Sequence, residues 1–187
     1  MILGLCGPKD SGKSTLAELL KTQHQFKRIA LADPIKEMCL TLVTYQGCSR
    51  GQGIRMFWGD LKEVPSAYLG GRTPRHAMQT LGTEWGRKTI NWDFWKNVWH
   101  NKVQQELDQI VVDDVRFENE VQAIRNFGGK VIRIMRKGTT IGLHSSEREY
   151  EKINCDWVLT NDESPQNMLD LLEFQLVRWE KDSQEFP

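Results

Sequence analysis

The stretch MILGLCGPKDSGKST, residues 1–15, decides the fold. Its apolar run up to Cys6 predicts a short buried strand, and GPKDSGKS, residues 7–14, matches the phosphate-loop pattern G-x-x-x-x-G-K-[ST]. Backbone N–H groups in such a loop surround phosphate groups, and the N-terminus of the following helix adds a favourable dipole. A glycine-rich turn before an amphipathic helix is the alternative. The order strand, loop, helix favours a nucleoside triphosphate site.

The residue types within this loop each have a chemical reason. Gly7 and Gly12 supply backbone conformations that a Cβ would obstruct. The Lys13 ammonium can reach the β- and γ-phosphates, and the Ser14 hydroxyl can hold Mg²⁺. The residues predicted to bind the triphosphate are Gly7, Lys9, Asp10, Ser11, Gly12, Lys13, Ser14 and Thr15.

Length and composition limit the classes of function. The 187 residues suffice for one domain, or for one domain with a lid and an insertion. Lys and Arg total 25, as do Asp and Glu, and the resulting zero net charge disfavours binding to a nucleic-acid polymer. We expect no signal peptide, because the first strand begins at Ile2, and no membrane span. Four cysteines without C-x-x-C spacing predict reduced thiols rather than zinc ligands. These features predict a cytoplasmic protein and leave a homodimer open.

Strand and helix patterns alternate along the chain, which predicts an α/β fold with a parallel sheet. The predicted strands are 2–6, 27–31, 109–112, 130–136 and 157–160, and the predicted helices are 14–22, one from Pro34 onward, 75–89, 93–107, 118–126 and 165–181. Residues 46–71 show no clear period and are expected to form an insertion or mobile segment on the substrate side. Five parallel strands are the predicted count.

Polar residues follow the predicted strands at their carboxyl ends, where ligands bind in open α/β sheets. The polar residues at or just after the ends of the second to fifth strands are Asp33, Asp113, Asp114, Arg136, Asn161 and Asp162. One of the adjacent Asp113 and Asp114 can face the triphosphate and organise Mg²⁺, since neighbouring strand residues point to opposite faces. A plain strand-end turn is the alternative. Arg116 is predicted to contact a phosphate, unless it forms a surface ion pair with Glu118 or Glu120.

A second arginine-rich stretch, GRTPR at residues 71–75, surrounds a predicted helix start. A phosphomonoester there would gain the helix dipole and charge-assisted hydrogen bonds from Arg72 or Arg75. Arg87 lies on or near the same helix and is a further candidate. Four nearby tryptophans, Trp85 among them, could stack on a base, although aromatic residues at helical spacing are typical of a core.

The polar segment 137–154 carries His144 and several basic residues. A flexible cationic segment could close over a transferring phosphate and exclude water. Glutamates such as Glu147 balance the positive charges, so a solvated charged stretch is the alternative.

The chain carries the motifs GPKDSGKST, LADPIKE, GRTPRHAMQTLGTEWGR, NWDFW, VVDDVRFENE, and GGKVIRIMR followed by HSSE. The phosphate loop alone is generic, whereas the combination of DVRF-x-NE with TPR and LGTEWGR is far more specific. Together the motifs resemble the phage deoxynucleoside monophosphate kinases, in the P-loop nucleoside monophosphate kinase group. The resemblance implies a P-loop three-layer α/β/α sandwich with a central five-stranded parallel sheet. It implies a core at about 1–45, 108–136 and 155–187, a helical acceptor-binding insertion at about 46–107 and a lid at about 137–154.

The resemblance also implies an activity: transfer of the γ-phosphate of ATP, with Mg²⁺, to a deoxynucleoside 5′-monophosphate (dNMP), in the host cytosol if the chain is phage-encoded. The implied catalytic residues are Lys13, Asp33, Arg116 and Arg136. The implied acceptor-binding residues are Asp33, Lys36, Arg72, Arg75, Gln79, Trp85, Arg87, Asp114 and Arg116. The implied metal ligands are Ser14, Asp113 and Asp114, and the implied lid residues are Arg136, His144, Ser146 and Glu147. A P-loop kinase of another small phosphorylated metabolite and a non-catalytic ATP-binding regulatory module stay open as alternatives.

Overall fold

The computed structural model describes residues 1–139 and 149–185. The chain divides into two compact units, Met1–Ala30 together with Gln105–Pro187, and Leu31–Gln104. We call the first the sheet unit and the second the helical unit.

Five parallel strands form the centre of the sheet unit: β1 Ile2–Cys6, β2 Lys27–Arg28, β3 Ile110–Val112, β4 Lys130–Met135 and β5 Trp157–Thr160. Their order is β2-β3-β1-β4-β5, so β1 is central and the order reverses beside it. Ligands bind at the carboxyl ends of the strands near such a reversal. The predicted five-stranded parallel sheet is confirmed.

Helices cover both faces of this sheet. The α-helices of the described residues are α1 Lys13–His24, α2 Asp33–Tyr45, α3 Arg50–Phe57, α4 Pro74–Gln79, α5 Phe94–Val103, α6 Glu118–Asn126 and α7 Pro165–Glu185, and a short 3₁₀ helix spans Glu149–Lys152. On one face, Leu3 and Leu5 of β1 share a buried cluster with Leu16 of α1 and Leu169 of α7. On the other face, a Cβ on Gly4 would lie 2.7 Å from Ile124 Cδ1, so glycine lets α6 pack against β1. The three-layer α/β/α sandwich is confirmed.

The helical unit has its own apolar core. Its buried members are Cys39, Leu40, Val43, Cys48, Met56 and Phe57. The sequence pattern did not predict α3, whose N-terminus is capped by the Ser49 side chain accepting a hydrogen bond from the Gln52 N–H. A short 3₁₀ helix at Ala67–Leu69 and a π-helix at Thr80–Ile90 complete the unit.

Several predicted boundaries differ from those of the structure. β2 ends at Arg28 rather than at residue 31, so Asp33 is the first residue of α2 and does not end a strand. Pro34 suits that helix start, because it needs no N–H partner in the first turn. α5 ends at Val103 rather than at residue 107. The helix predicted at 75–89 is α4 continued by the π-helix.

None of the helices in the described part of the chain is both long and apolar enough to cross a membrane.

Candidate functional site

The phosphate loop lies between β1 and α1, as predicted. Gly7 has φ 133° and Gly12 has φ 105°, which is backbone that side-chain-bearing residues rarely adopt. A Cβ on Gly7 would also lie 2.2 Å from the Ile134 carbonyl oxygen. Both glycines are therefore required by the loop geometry and not merely tolerated.

The Lys13 side chain folds along the inside of this loop. Its ammonium donates hydrogen bonds to the carbonyl oxygens of Gly7, at 3.0 Å, and of Pro8. Burial, and to a lesser degree the positive charge of Arg116, lower the pKa of Lys13 from its usual value to about 8. A phosphate anion beside the ammonium would favour its charged form, so the loop is suited to a highly charged ligand.

Ser14 contacts the first of the two aspartates after β3. Its hydroxyl donates to Asp113 Oδ2 at 3.1 Å. Asp113 Oδ1 lies 2.8 Å from Arg28 Nη2, in an ion pair that lacks the alignment of a hydrogen bond. The Asp113 carboxylate is almost fully buried, so it depends on these two partners. This geometry selects Asp113 as the aspartate beside the loop, whereas a role for Asp114 stays a prediction.

Magnesium fits this arrangement only with help from the substrate. Within residues 1–139 and 149–185, no three His, Cys, Asp or Glu side chains are grouped to hold a metal ion. Mg²⁺ characteristically takes one or two protein oxygens and completes its shell with phosphate oxygens and water. The Ser14 hydroxyl and the Asp113 carboxylate are two such oxygens at the edge of the phosphate loop.

Arg116 stands at the start of α6. The Glu120 carboxylate accepts hydrogen bonds from the backbone N–H groups of Arg116 and Phe117 and so caps the helix. Over the described residues, the Arg116 guanidinium forms no ion pair, so the surface pair with Glu118 or Glu120 is absent there. Its charge is close enough to Lys13 to lower the pKa of that residue.

A cavity of about 360 Å³ opens beside the phosphate loop within the sheet unit. Its lining residues are Asp10, Gly12, Lys13, Ser14, Thr15, Arg136, Asn161, Glu163, Pro165 and Met168. Arg136 follows β4, Asn161 and Glu163 lie between β5 and α7, and Pro165 and Met168 belong to the start of α7. Five of the predicted loop residues, the predicted Arg136 and the strand-end residue Asn161 therefore meet in one cavity, together with Glu163, Pro165 and Met168, which were not predicted as part of the site.

The predicted acceptor residues Asp33 and Lys36 lie on the first turn of α2. Lys36 Nζ is 3.5 Å from Asp33 Oδ1 and 5.6 Å from the centre of the Trp58 ring. The ammonium is mostly buried between these two groups, which fixes its position.

The two arginines of GRTPR differ in their surroundings. Arg75 forms an ion pair with Glu63, and its side chain is largely shielded, whereas Arg72 is exposed. Thr73 caps α4 by accepting a hydrogen bond from the His76 N–H. Gln79 ends the same helix and is half-buried. The structure confirms the helix start that the sequence predicted there and leaves the phosphate contacts as predictions.

Arg87 occupies the π-helix, a rare conformation found frequently at functional sites. It is 8% exposed, its guanidinium lies 5.7 Å from the centre of the Trp92 ring, and Nη1 donates to the Trp92 carbonyl oxygen at 3.5 Å. Trp95 supports the same turn, because its indole N–H donates to the Gly82 carbonyl oxygen at 2.8 Å. A Cβ on Gly86 would lie 2.1 Å from Trp95 Nε1, so glycine is needed for this contact.

The four tryptophans divide between core and surface. Trp95 and Trp99 are buried, as expected of core residues, whereas Trp85 and Trp92 are exposed. Trp85 packs edge-on against Phe94 with ring centres 5.5 Å apart and leaves part of its ring accessible. Base stacking by Trp85 therefore stays a prediction.

The predicted lid residues His144, Ser146 and Glu147 lie outside the described residues.

Comparison with known proteins resolves the family. A family model described as deoxynucleotide monophosphate kinase matches residues 72–171. A putative deoxynucleotide monophosphate kinase of Acanthamoeba polyphaga mimivirus is 31% identical over 180 residues, covering 88% of this chain and 90% of that protein. The chain belongs to the deoxynucleotide monophosphate kinase family. The resemblance inferred from the motifs is confirmed.

A second member of the family agrees with this assignment, and a solved structure shares the fold. The deoxynucleotide monophosphate kinase of Enterobacteria phage T4 is 23% identical over 224 residues, covering 87% of this chain and 93% of that one. Shikimate kinase from Acinetobacter baumannii, solved in complex with shikimate, aligns with a TM-score of 0.50 over 95% of this chain and 93% of its own, at 9% identity. That likeness concerns the fold alone.

Sequence reasoning missed two contacts of this kinase site. Arg28 was placed in a strand but not paired with Asp113, which directly follows another strand. Asn161 was seen to follow the fifth strand but was not expected to contact the phosphate loop, where its side chain donates to the Ser11 carbonyl oxygen. The signal for both was their position near the carboxyl ends of parallel strands in one sheet.

Proposed function

We propose that this protein transfers the γ-phosphate of ATP to a dNMP, giving the deoxynucleoside diphosphate and ADP. The observation that carries the proposal is the joining of the phosphate loop to Asp113 through Ser14, in a chain of the deoxynucleotide monophosphate kinase family. The four cysteines are free thiols, which is compatible with a reducing cytosol, where we place the reaction.

The sheet unit supplies the donor site in this proposal. The backbone N–H groups of the loop and the Lys13 ammonium hold the β- and γ-phosphates. Ser14 and Asp113 would hold Mg²⁺ together with phosphate oxygens, and the ion would neutralise charge on the transferring group. Arg28 fixes the Asp113 carboxylate, and Arg136 projects from the end of β4 into the same cavity. The remaining cavity surface at Pro165 and Met168 is apolar and would take the adenine ring.

The helical unit supplies the acceptor site. We assign the acceptor phosphate to the arginines of the α4 region and the acceptor base to the surroundings of the π-helix. The residues of the helical unit assigned to it are Asp33, Lys36, Arg72, Arg75, Gln79, Trp85 and Arg87, and the acceptor roles of Asp114 and Arg116 stay predictions. Lys36 and Arg87 are both largely buried and held by an aromatic ring, so little side-chain entropy is lost when they bind an anion.

The chemistry requires alignment and charge neutralisation more than proton transfer. An oxygen of the acceptor phosphate attacks the γ-phosphorus, and the bond from that phosphorus to the β–γ bridging oxygen breaks, so that ADP leaves. The attacking oxygen is already ionised near neutral pH, and a strong general base is unnecessary. Lys13, Arg116 and Arg136 stabilise the negative charge on the transferring group. A lid at 137–154 stays a prediction of this scheme.

The test is a coupled ADP-release assay with MgATP and each of dTMP, dGMP, dCMP and dAMP, beside their ribose counterparts. We expect turnover with at least one dNMP and little ADP release without an acceptor. Turnover only with other phosphorylated metabolites would replace the substrate class. Tight ATP binding with no transfer to any acceptor would indicate a regulatory module and overturn the proposal.

A further inference from the structure

The Asn161 side chain connects the end of β5 to the middle of the phosphate loop. Its Nδ2 donates a hydrogen bond to the Ser11 carbonyl oxygen at 2.8 Å. Ser11 is fully buried and Asn161 is 8% exposed, so water is not available to replace this bond. The contact joins two residues that are 150 positions apart in the chain.

This hydrogen bond fixes the direction of the neighbouring N–H group. The chain has no cis peptide bonds among the described residues, so the peptide from Ser11 to Gly12 is planar and trans. In a trans peptide, the C=O and the N–H point in opposite directions. Because Asn161 holds the Ser11 carbonyl on one side of the loop, the Gly12 N–H is directed to the other side.

The Gly12 N–H has no acceptor of its own within residues 1–139 and 149–185. The Gly12 carbonyl, in contrast, accepts from the Leu16 N–H at 2.9 Å and starts α1. An unpartnered backbone N–H is costly unless water or a ligand accepts its hydrogen bond. Phosphate oxygens are the acceptors that a loop of this kind binds.

Gly12 and Asn161 depend on each other sterically. A Cβ on Gly12 would lie 2.3 Å from Asn161 Nδ2, so any other residue at 12 would displace the amide. Asn161 itself is anchored, because its backbone N–H donates to the Met135 carbonyl oxygen at 2.7 Å. The amide therefore approaches the loop from a fixed strand end rather than from a mobile surface.

We propose that Asn161 is a positioning residue that orients the Ser11–Gly12 peptide so that the Gly12 N–H binds a phosphate oxygen of the donor nucleotide. The inference rests on the proposed function of the loop as the ATP site. It assigns to β5 a part in triphosphate binding that is separate from the Lys13 and Ser14 side chains.

The experiment measures binding of inorganic tripolyphosphate and of ATP by calorimetry, with the full-length protein and two variants. Asn161→Ala removes the amide, and Asn161→Asp keeps its shape but places a carboxylate oxygen against the Ser11 carbonyl. We expect Asn161→Ala to weaken the binding of both ligands about tenfold, because the Gly12 N–H would lose its hydrogen bond to a charged phosphate. Asn161→Asp should weaken their binding more. The KM for the acceptor should stay unchanged.

Thr160→Asp is the matched control for charge, because Thr160 is exposed and directly precedes Asn161. It adds the same negative charge without touching the loop, and we expect less than about a twofold change. Thermal unfolding of each variant shows whether the fold is retained. If Asn161→Ala binds tripolyphosphate like the unmodified protein, or if Asn161→Asp loses no more affinity than Thr160→Asp, the inference is overturned. If the unmodified protein binds neither ligand, the proposed ATP site fails instead.

Discussion

The sheet unit and the helical unit hold their candidate binding residues in different ways. In the sheet unit, backbone geometry does most of the positioning, through two glycines of positive φ and buried contacts to Asp113 and Asn161. In the helical unit, long side chains do it, through an ion pair at Arg75 and an aromatic ring beside Arg87. Residues whose backbone geometry shapes a site tolerate few substitutions. Residues that bind through side chains, and are held by other side chains, can be replaced one at a time without loss of the fold.

This contrast explains why the sequence predicts the site of the sheet unit better than that of the helical unit. A phosphate loop needs particular residues at adjacent positions, so a short motif is enough to predict it. An acceptor site built from separated side chains has no such local signature. We therefore expect substitutions in the sheet unit to abolish turnover and substitutions in the helical unit to alter substrate affinity.

The largest effect is expected from Lys13→Ala. Removing the ammonium deletes the main cationic contact to the β- and γ-phosphates, and kcat should fall by about a thousandfold. The coupled assay measures kcat, and circular dichroism verifies that the fold is retained. Near-normal turnover by the folded variant would contradict the assignment of the donor site to the loop.

Arg28→Met should reduce both stability and turnover. It leaves the buried Asp113 carboxylate without its cation, which costs about 3 kcal/mol of unfolding free energy. Denaturant unfolding measures that loss, and adding Asp113→Asn to the same chain should recover stability but not turnover. If the double variant regains activity, the Asp113 carboxylate has no catalytic role.

Gly86→Ala tests the packing that supports the π-helix. The new methyl group would overlap the Trp95 ring, and we expect a loss of about 2 kcal/mol in unfolding free energy with a raised KM for the acceptor. Gly51→Ala is the matched control, because a Cβ there meets nothing within 4 Å. Equal effects of the two substitutions would show that the Trp95 contact does not matter.

A smaller effect is expected from Arg75→Ala in the helical unit. Loss of one charge-assisted contact should raise the KM for the dNMP about tenfold and leave the KM for ATP unchanged. Arg55→Ala is the control, since Arg55 forms an exposed ion pair with Asp60 in the same unit. A rise in both KM values, or in neither, would remove Arg75 from the acceptor site.

The pH dependence of kcat/KM for ATP should be the mildest effect. Burial lowers the pKa of Lys13 to about 8, so the free protein keeps the ammonium below this pH and loses it above. The charged form of Lys13 attracts phosphate and its neutral form does not, so kcat/KM should be level near pH 7 and fall as pH rises through about 8. Initial rates at saturating dNMP check this, and a level profile up to pH 10 would contradict it.

The sequence was sufficient for the sheet and the phosphate loop because their signals are local. The apolar runs and the spacing of the glycines at 7 and 12 are patterns that can be recognised within a few consecutive residues. It failed at α3, where Gly51 and Gly53 lower the helical signal. Gly53 is nevertheless needed, since a Cβ there would lie 2.4 Å from Leu40 Cδ1 in α2. A residue chosen for packing between helices is invisible to local propensity.

The contacts that the sequence missed in the sheet unit are long-range. Arg28 reaches Asp113 from a neighbouring strand, and Asn161 reaches Ser11 from the end of β5. Strand order decides both contacts, and the sequence pattern predicted the number of strands without their order. The choice between Asp113 and Asp114 likewise required the side-chain direction that the structure supplies.

The central claim is transfer of a phosphoryl group between two nucleotides. The most direct measurement uses ATP labelled with ¹⁸O in its γ-phosphoryl group, incubated with Mg²⁺ and each dNMP, with mass spectrometry of the products. We expect label in the terminal phosphate of a deoxynucleoside diphosphate, in an amount equal to the ADP formed. Label found only in inorganic phosphate, or no deoxynucleoside diphosphate with any acceptor, would contradict it.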